Sequence, residues 1–104
     1  MNLNDYQKAA MATALPTALH LDYMVLGLAS EAGEVAGKRK KEIRDELGRT
    51  DDAALAAEAA DCLWYIAGIA EVLRIPLEDL AQANLDKLAS RKARGKIGGS
   101  GDER

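Results

Sequence analysis

The chain has no phenylalanine, and Tyr6, Tyr23, Trp64 and Tyr65 are its only aromatic residues, so a core built on large rings is excluded. Twenty alanines take their place among 104 residues. A single domain is expected, since domains cluster near about 100–150 residues. Its own core would be thin, which makes oligomerisation the expected supplement. The lone cysteine, Cys62, rules out a disulfide framework and a cysteine-built zinc site, and suits a reducing, cytoplasmic setting. The opening residues Met1 to Tyr6 carry neither the basic nor the apolar stretch of a secretory signal. No run approaches eighteen apolar residues, so no membrane span is expected. Fourteen Lys and Arg stand against seventeen Asp and Glu, a net charge of −3 that argues against a general nucleic-acid binder.

Only Pro16 and Pro76 interrupt the chain, and no stretch alternates in the manner of a strand. The apolar spacing is helical almost throughout, which predicts an all-α fold. Asn4 or Asp5 can cap a first helix running to about Ala14, with Tyr6, Ala10, Met11 and Ala14 on one stripe. A second helix is expected from Leu21 to about Leu47, stopped by Gly48. A third, capped by Asp51 or Asp52, runs from Ala53 to about Arg74 with Leu55, Leu63, Ile66, Ala67, Ala70 and Leu73 inward. Pro76 opens a fourth whose stripe is Leu77, Leu80, Ala81, Leu85 and Leu88, with Gly95 as its stop. Short loops imply antiparallel neighbours in a small four-helix bundle. Residues 1–94 form the expected helical domain and 95–104 a glycine-rich tail.

The chemistry-bearing residues are acidic and lie inside helices. Glu31 and Glu34 are three apart, as are Glu58 and Asp61, and residues at that spacing share a helix face. Both pairs interrupt alanine-rich, apolar stretches, so antiparallel packing can bring four carboxylates into one groove. Carboxylates at such range repel one another and are costly to desolvate. A divalent cation resolves the conflict, and helix-borne carboxylates without a histidine motif fit Mg²⁺ or Mn²⁺ better than zinc or di-iron. Exposed acids paired with nearby Lys or Arg are the plainer alternative. Gly27, Gly33, Gly37 and Gly68 fall inside helices, where each costs about 1 kcal/mol against alanine, and close helix contact is the commoner reason.

Glu31-Ala-Gly-Glu34, then 23 residues, then Glu58-Ala-Ala-Asp61-Cys-Leu-Trp-Tyr65, resembles the ExxE…ExxD signature of MazG-like nucleoside triphosphate pyrophosphohydrolases. Asn84-Leu-Asp-Lys87-Leu-Ala-Ser-Arg91 is similar to that family's NxxKLxxR segment, and both chain ends are similar to those of its small members. The resemblance implies an all-α bundle completed as a homodimer or homotetramer. It also implies Mg²⁺-dependent hydrolysis of an NTP or dNTP to a monophosphate and pyrophosphate, as in nucleotide-pool house-cleaning. By position, Glu31, Glu34, Glu58 and Asp61 would be the metal ligands. Many members carry a further glutamate where this chain has Ser30, so water activation would fall to Glu31, Glu34 or the metal alone. A phosphoribosyl-ATP pyrophosphohydrolase, or a non-catalytic helical module, are the alternative readings.

Asn84, Lys87 and Arg91 share one face of the last helix. Lys and Arg suit phosphate oxygens and an Asn amide can bond sugar, phosphate or base, so with the resemblance these become expected substrate contacts. Arg104 and the tail amides could close over the phosphates as a lid. Trp64 and Tyr65 follow Asp61 closely enough to border the same groove and stack on a base, or Trp64 fills the core instead. The run Lys38-Arg39-Lys40-Lys41 reads as a solvated face, with steering of an anionic substrate as its other use. His20 reads as a loop residue and Cys62 as a small buried hydrophobe.

Overall fold

The computed structural model describes residues 1–49 and 51–104. Four α-helices run in order: α1 (Leu3–Met11), α2 (Leu21–Arg44), α3 (Asp52–Val72) and α4 (Leu77–Ala93), with a 3₁₀ turn, Pro16–Ala18, before α2. No strand occurs among the described residues. The all-α expectation holds, and the limits differ by a few residues. The first helix is capped by Asn2 rather than Asn4 or Asp5. Asn2 Oδ1 accepts from the Asp5 amide, and Asp5 in turn accepts from the Asn2 amide, a reciprocal cap. Asp51 caps α3 by accepting from the Ala54 amide.

Three helices end in the same way. The amides of Leu47, Ile75 and Lys96 donate back to the carbonyls of Glu42, Ala70 and Arg91. In each case the preceding residue, Glu46, Arg74 or Gly95, holds a positive φ of 55°, 60° or 67°. Hence α2 closes at Arg44 and α3 at Val72, short of the expected Leu47 and Arg74. At Glu46 and Arg74 a residue with a side chain takes the left-handed place that a glycine holds at Gly95.

α3 is the central element, with α2 along one side, α1 across another, and the start of α4 beyond. By length and mean hydropathy α3 would pass for a membrane span. It carries Glu58 and Asp61 at mid-length, however, and packs on the other three helices. α2 and α3 are antiparallel and in close register, and two glycines set the approach. A Cβ at Gly68 would overlap the Met24 sulfur, and one at Gly27 would overlap the edge of the Tyr65 ring, nearest its Cε1 carbon. Met24 is fully buried as a result. Gly33 and Gly37, by contrast, face open space.

α1 locks the turn between α3 and α4. Gln7 is buried, donates from Nε2 to the Ile75 carbonyl (3.0 Å), and accepts from the Leu77 amide (2.7 Å). One turn earlier, Asn4 and Glu78 exchange two further bonds of 3.1 and 3.0 Å. The buried cluster is small, Ala67, Ala70 and Leu77, with Tyr6, Met11, Ile66 and Leu80 against it. Only the first turns of α4 enter that core. Leu85 and Leu88, expected to face inward, are therefore exposed, and so are Leu63 of α3 and Leu73 at its end. The radius of gyration is 16.5 Å, against about 13 Å for a compact chain of this length. The thin core anticipated from twenty alanines is what the fold delivers.

Candidate metal centre

The α2–α3 register that stacks Met24 on Gly68 and Gly27 on Tyr65 brings Glu31 level with Asp61 and Glu58. One oxygen from each of Glu31, Glu58 and Asp61 lies within 4.8 Å of the others. Partial burial, then the negative charges of Asp61 and Glu58, a hydrogen bond shared with Glu58, and the charge of Glu34 together hold the Glu31 carboxyl above its ordinary range. Glu34 itself is exposed and stands outside the triad, one turn along α2. Three crowded carboxylates offer an all-oxygen donor set, which fits a hard divalent cation.

A cavity of about 350 Å³ opens beside the triad, lined by Glu31, Asp61, Trp64 and Tyr65. That volume lies at the lower end of small-ligand pockets, about 300–1,000 Å³. The Trp64 and Tyr65 rings meet edge to face, their centroids 5.0 Å apart. Tyr65 leans on Tyr23 of α2, 6.4 Å between centroids. Burial, the Tyr23 hydroxyl, and the Glu31 and Asp61 carboxylates all raise the Tyr65 phenol above its usual value. Trp64 lies outside the buried cluster and is half-buried. Its indole N–H donates to the Ala10 carbonyl (3.2 Å) and to Thr13 Oγ1 (3.0 Å), tying α1 to α3, while the ring still borders the cavity.

Two contributors escaped the sequence reading. Lys38 Nζ lies 3.6 Å from Glu58, so one member of the basic run reaches the triad while its side chain stays 40% exposed. Tyr23 buttresses Tyr65. Both stand on the Glu31 face of α2, at eight residues before and seven after, and that spacing was the available signal. Arg39 stays with its own helix end, near Glu42 (3.7 Å) and bonded to the Gly48 carbonyl (3.2 Å).

The remaining candidates lie on α4 and in the tail. Asn84 is exposed. Lys87 and Arg91 both engage Asp102 of the tail. Arg104 is turned into the tail's own carbonyls.

Residues 20–95 match the MazG nucleotide pyrophosphohydrolase domain, a span holding all four motif carboxylates together with Asn84, Lys87 and Arg91. The chain belongs to that family. As a MazG-domain protein it is also 45% identical, over 116 residues covering all of both chains, to a Mycobacterium phage L5 protein known as "Gene 37 protein". No solved structure matches it.

Proposed function

We propose that this MazG-family chain hydrolyses a nucleoside triphosphate, ribo or deoxyribo, to the monophosphate and pyrophosphate. The observation that carries the reading is the carboxylate triad, with oxygens within 4.8 Å of one another beside a ligand-sized cavity. Those charges oppose one another, and Lys38 partly offsets them at Glu58. Glu31, Glu58 and Asp61, with Glu34 completing the donor set, would hold Mg²⁺, or Mn²⁺ as a substitute. The bound cation supplies charge neutralisation for the triphosphate and acidification of a water.

The protein's own part is positioning and proton transfer. A water oxygen attacks the α-phosphorus, the bridging bond to the β-phosphate breaks, and pyrophosphate departs with the bonding electron pair. The water's proton passes to Glu31 or Glu34, since the residue before Glu31 is Ser30 and has no carboxylate to offer. Tyr65 and Trp64 border the base or ribose. Asn84, Lys87 and Arg91 of α4 meet the phosphates.

The chain works as a homodimer or homotetramer in this reading. Leu26, Ile43 and Leu85 are 70%, 64% and 59% exposed, an apolar load that a second copy would cover. Light scattering after gel filtration reads the mass directly.

The deciding experiment is pyrophosphate release across a panel of ribo-, deoxyribo- and modified triphosphates, with Mg²⁺, Mn²⁺ or EDTA. Metal-dependent release from one or a few substrates is expected. No release from a folded protein with any of them would replace the reading with a phosphoribosyl-ATP substrate or a non-catalytic binding role.

A further inference from the structure

Residues 95–104 turn back along α4, and their geometry assigns the tail a function of its own. The chain leaves α4 through the left-handed Gly95 and bends again at Gly99 and Gly101, with φ of 94° and 86°. Arg104 is the hub of the fold-back. Its guanidinium donates to the carbonyls of Lys96, Ile97, Gly98 and Gly101, and its own carbonyl accepts from Arg94 Nη2 at 3.0 Å. A cation spent on four carbonyls serves to shape the tail.

The shape sets Asp102 on α4. Asp102 Oδ1 accepts from Lys87 Nζ at 2.9 Å and from Arg91 Nη2 at 3.2 Å, and the Asp102 carbonyl accepts from the same Nη2. Burial across this contact is lopsided. The Arg91 side chain is 7% exposed and that of Asp102 is 80% exposed. The cation is thus fixed in the structure, and the anion sits at the surface where solvent and solutes compete for it. Arg91 also has capacity to spare, because its Nε is buried without a hydrogen-bond partner. A guanidinium beside an ammonium is a strong receptor for phosphate oxygens, which carry more charge and more acceptors than one carboxylate oxygen.

We propose that the tail is a latch displaced by phosphate. Asp102 is the internal stand-in for a phosphoryl group on Lys87 and Arg91, and an incoming phosphate-bearing ligand takes those two cations and frees residues 96–104. The latch rests on the reading that α4 faces a triphosphate. It also reverses the sign expected of a lid: a lid adds affinity, whereas a latch is a competitor that substrate must overcome.

The probe is inorganic pyrophosphate in EDTA, which bypasses the carboxylate triad. Calorimetry on the full chain and on Asp102→Asn gives the affinities, and NMR order parameters of residues 97–104 report the tail. Asp102→Asn is expected to bind pyrophosphate roughly fivefold more tightly, the scale of one exposed ion pair removed from the competition. Saturating pyrophosphate should bring order parameters of the wild-type tail from folded values near about 0.85 to below roughly 0.6. Equal or weaker binding by the variant, or a tail that stiffens with pyrophosphate, overturns the latch. Asp102→Ser, with melting temperature matched to wild type, guards against a folding artefact. Turnover reads the other site: a chain that hydrolyses triphosphates without tail release removes the latch alone. A chain whose tail responds but which never hydrolyses removes the catalytic reading alone.

Discussion

The Tyr65 ring lies where the side chain of residue 27 would be, and Gly27 has none. This contact fixes the spacing of α2 and α3 at the triad, because Glu31 follows Gly27 by one turn and Asp61 precedes Tyr65 by one turn. Gly27→Ala pits two effects against each other. Alanine in a helix interior gains about 1 kcal/mol over glycine. Forcing a methyl group into an aromatic ring costs about 1–3 kcal/mol, and more if the backbones must part. The clash is with the edge of a rigid ring, not the end of a flexible chain, so the cost wins. The melting temperature of the variant should fall by several degrees and hydrolysis should weaken with it. A variant more stable than wild type would show that Tyr65 moves aside freely.

Gln7 presents a second test, on stability alone. Its side chain satisfies the Ile75 carbonyl and the Leu77 amide at a turn where the left-handed Arg74 already directs the chain. Gln7→Ala leaves both backbone groups without that partner near a buried Leu77. Stranding the buried Leu77 amide costs about 1–3 kcal/mol and the part-buried Ile75 carbonyl less, so a loss of roughly 2–4 kcal/mol is expected in urea unfolding. Gln7→Glu keeps the acceptor and loses the donor, and should fall between the two. A loss under about 0.5 kcal/mol for the alanine variant, the scale of a featureless surface change, would mean water replaces the side chain.

These two contacts also mark what the sequence could and could not tell. Helix identity was legible because the apolar period and the two prolines leave no other choice. So were the paired carboxylates, whose spacing puts them on one face before any packing is known. The Asn2 cap was missed because Asn2, Asn4 and Asp5 all have capping side chains, and the choice turns on which one finds a reciprocal partner. Leu63, Leu73, Leu85 and Leu88 were placed inside by periodicity, which finds the apolar face of a helix without saying whether anything covers it. Lys38 was hidden in a run of four cations, where composition suggests solvent and only helical phase singles it out. The engagement of Arg104 with four tail carbonyls was illegible, since nothing in a glycine-rich segment specifies a fold-back.

Crowding at the triad has a pH signature. The Glu31 carboxyl is held above its ordinary 4.5 by partial burial and then by Asp61 and Glu58. A raised acid binds its proton more tightly in the folded state than in the unfolded chain. Its contribution to stability is therefore present below about 4.5 and is lost as pH rises through the folded value. In EDTA the melting temperature should decline across that window, and Glu31→Gln should flatten the decline. Mg²⁺ should raise the melting temperature of the wild type at pH 7.5 more than at pH 5, and do little for the variant, by the linkage of ligand to folding. An equal Mg²⁺ effect in both proteins would place the cation elsewhere.

Asp61→Asn separates catalysis from folding. Asp61 is exposed and has a carboxylate oxygen within 4.8 Å of one on Glu31 and one on Glu58, so its charge is repelled there. Removing its charge should leave the melting temperature in EDTA unchanged or higher, because a repulsion is relieved and no buried group is stranded. The same change removes one oxygen donor that the proposed chemistry needs. Pyrophosphate release should fall by at least about 100-fold, the scale of losing one group that stabilises charge in a transition state. Glu34→Gln offers the companion comparison, since Glu34 lies outside the triad and only the family motif enlists it. A similar fall there would put four carboxylates in the donor set, and near-wild-type turnover would reduce it to three. Full activity in both variants would remove the site assignment. A protein that is at once more stable and far less active is the combination expected of a cation site assembled from charges that the fold alone does not favour.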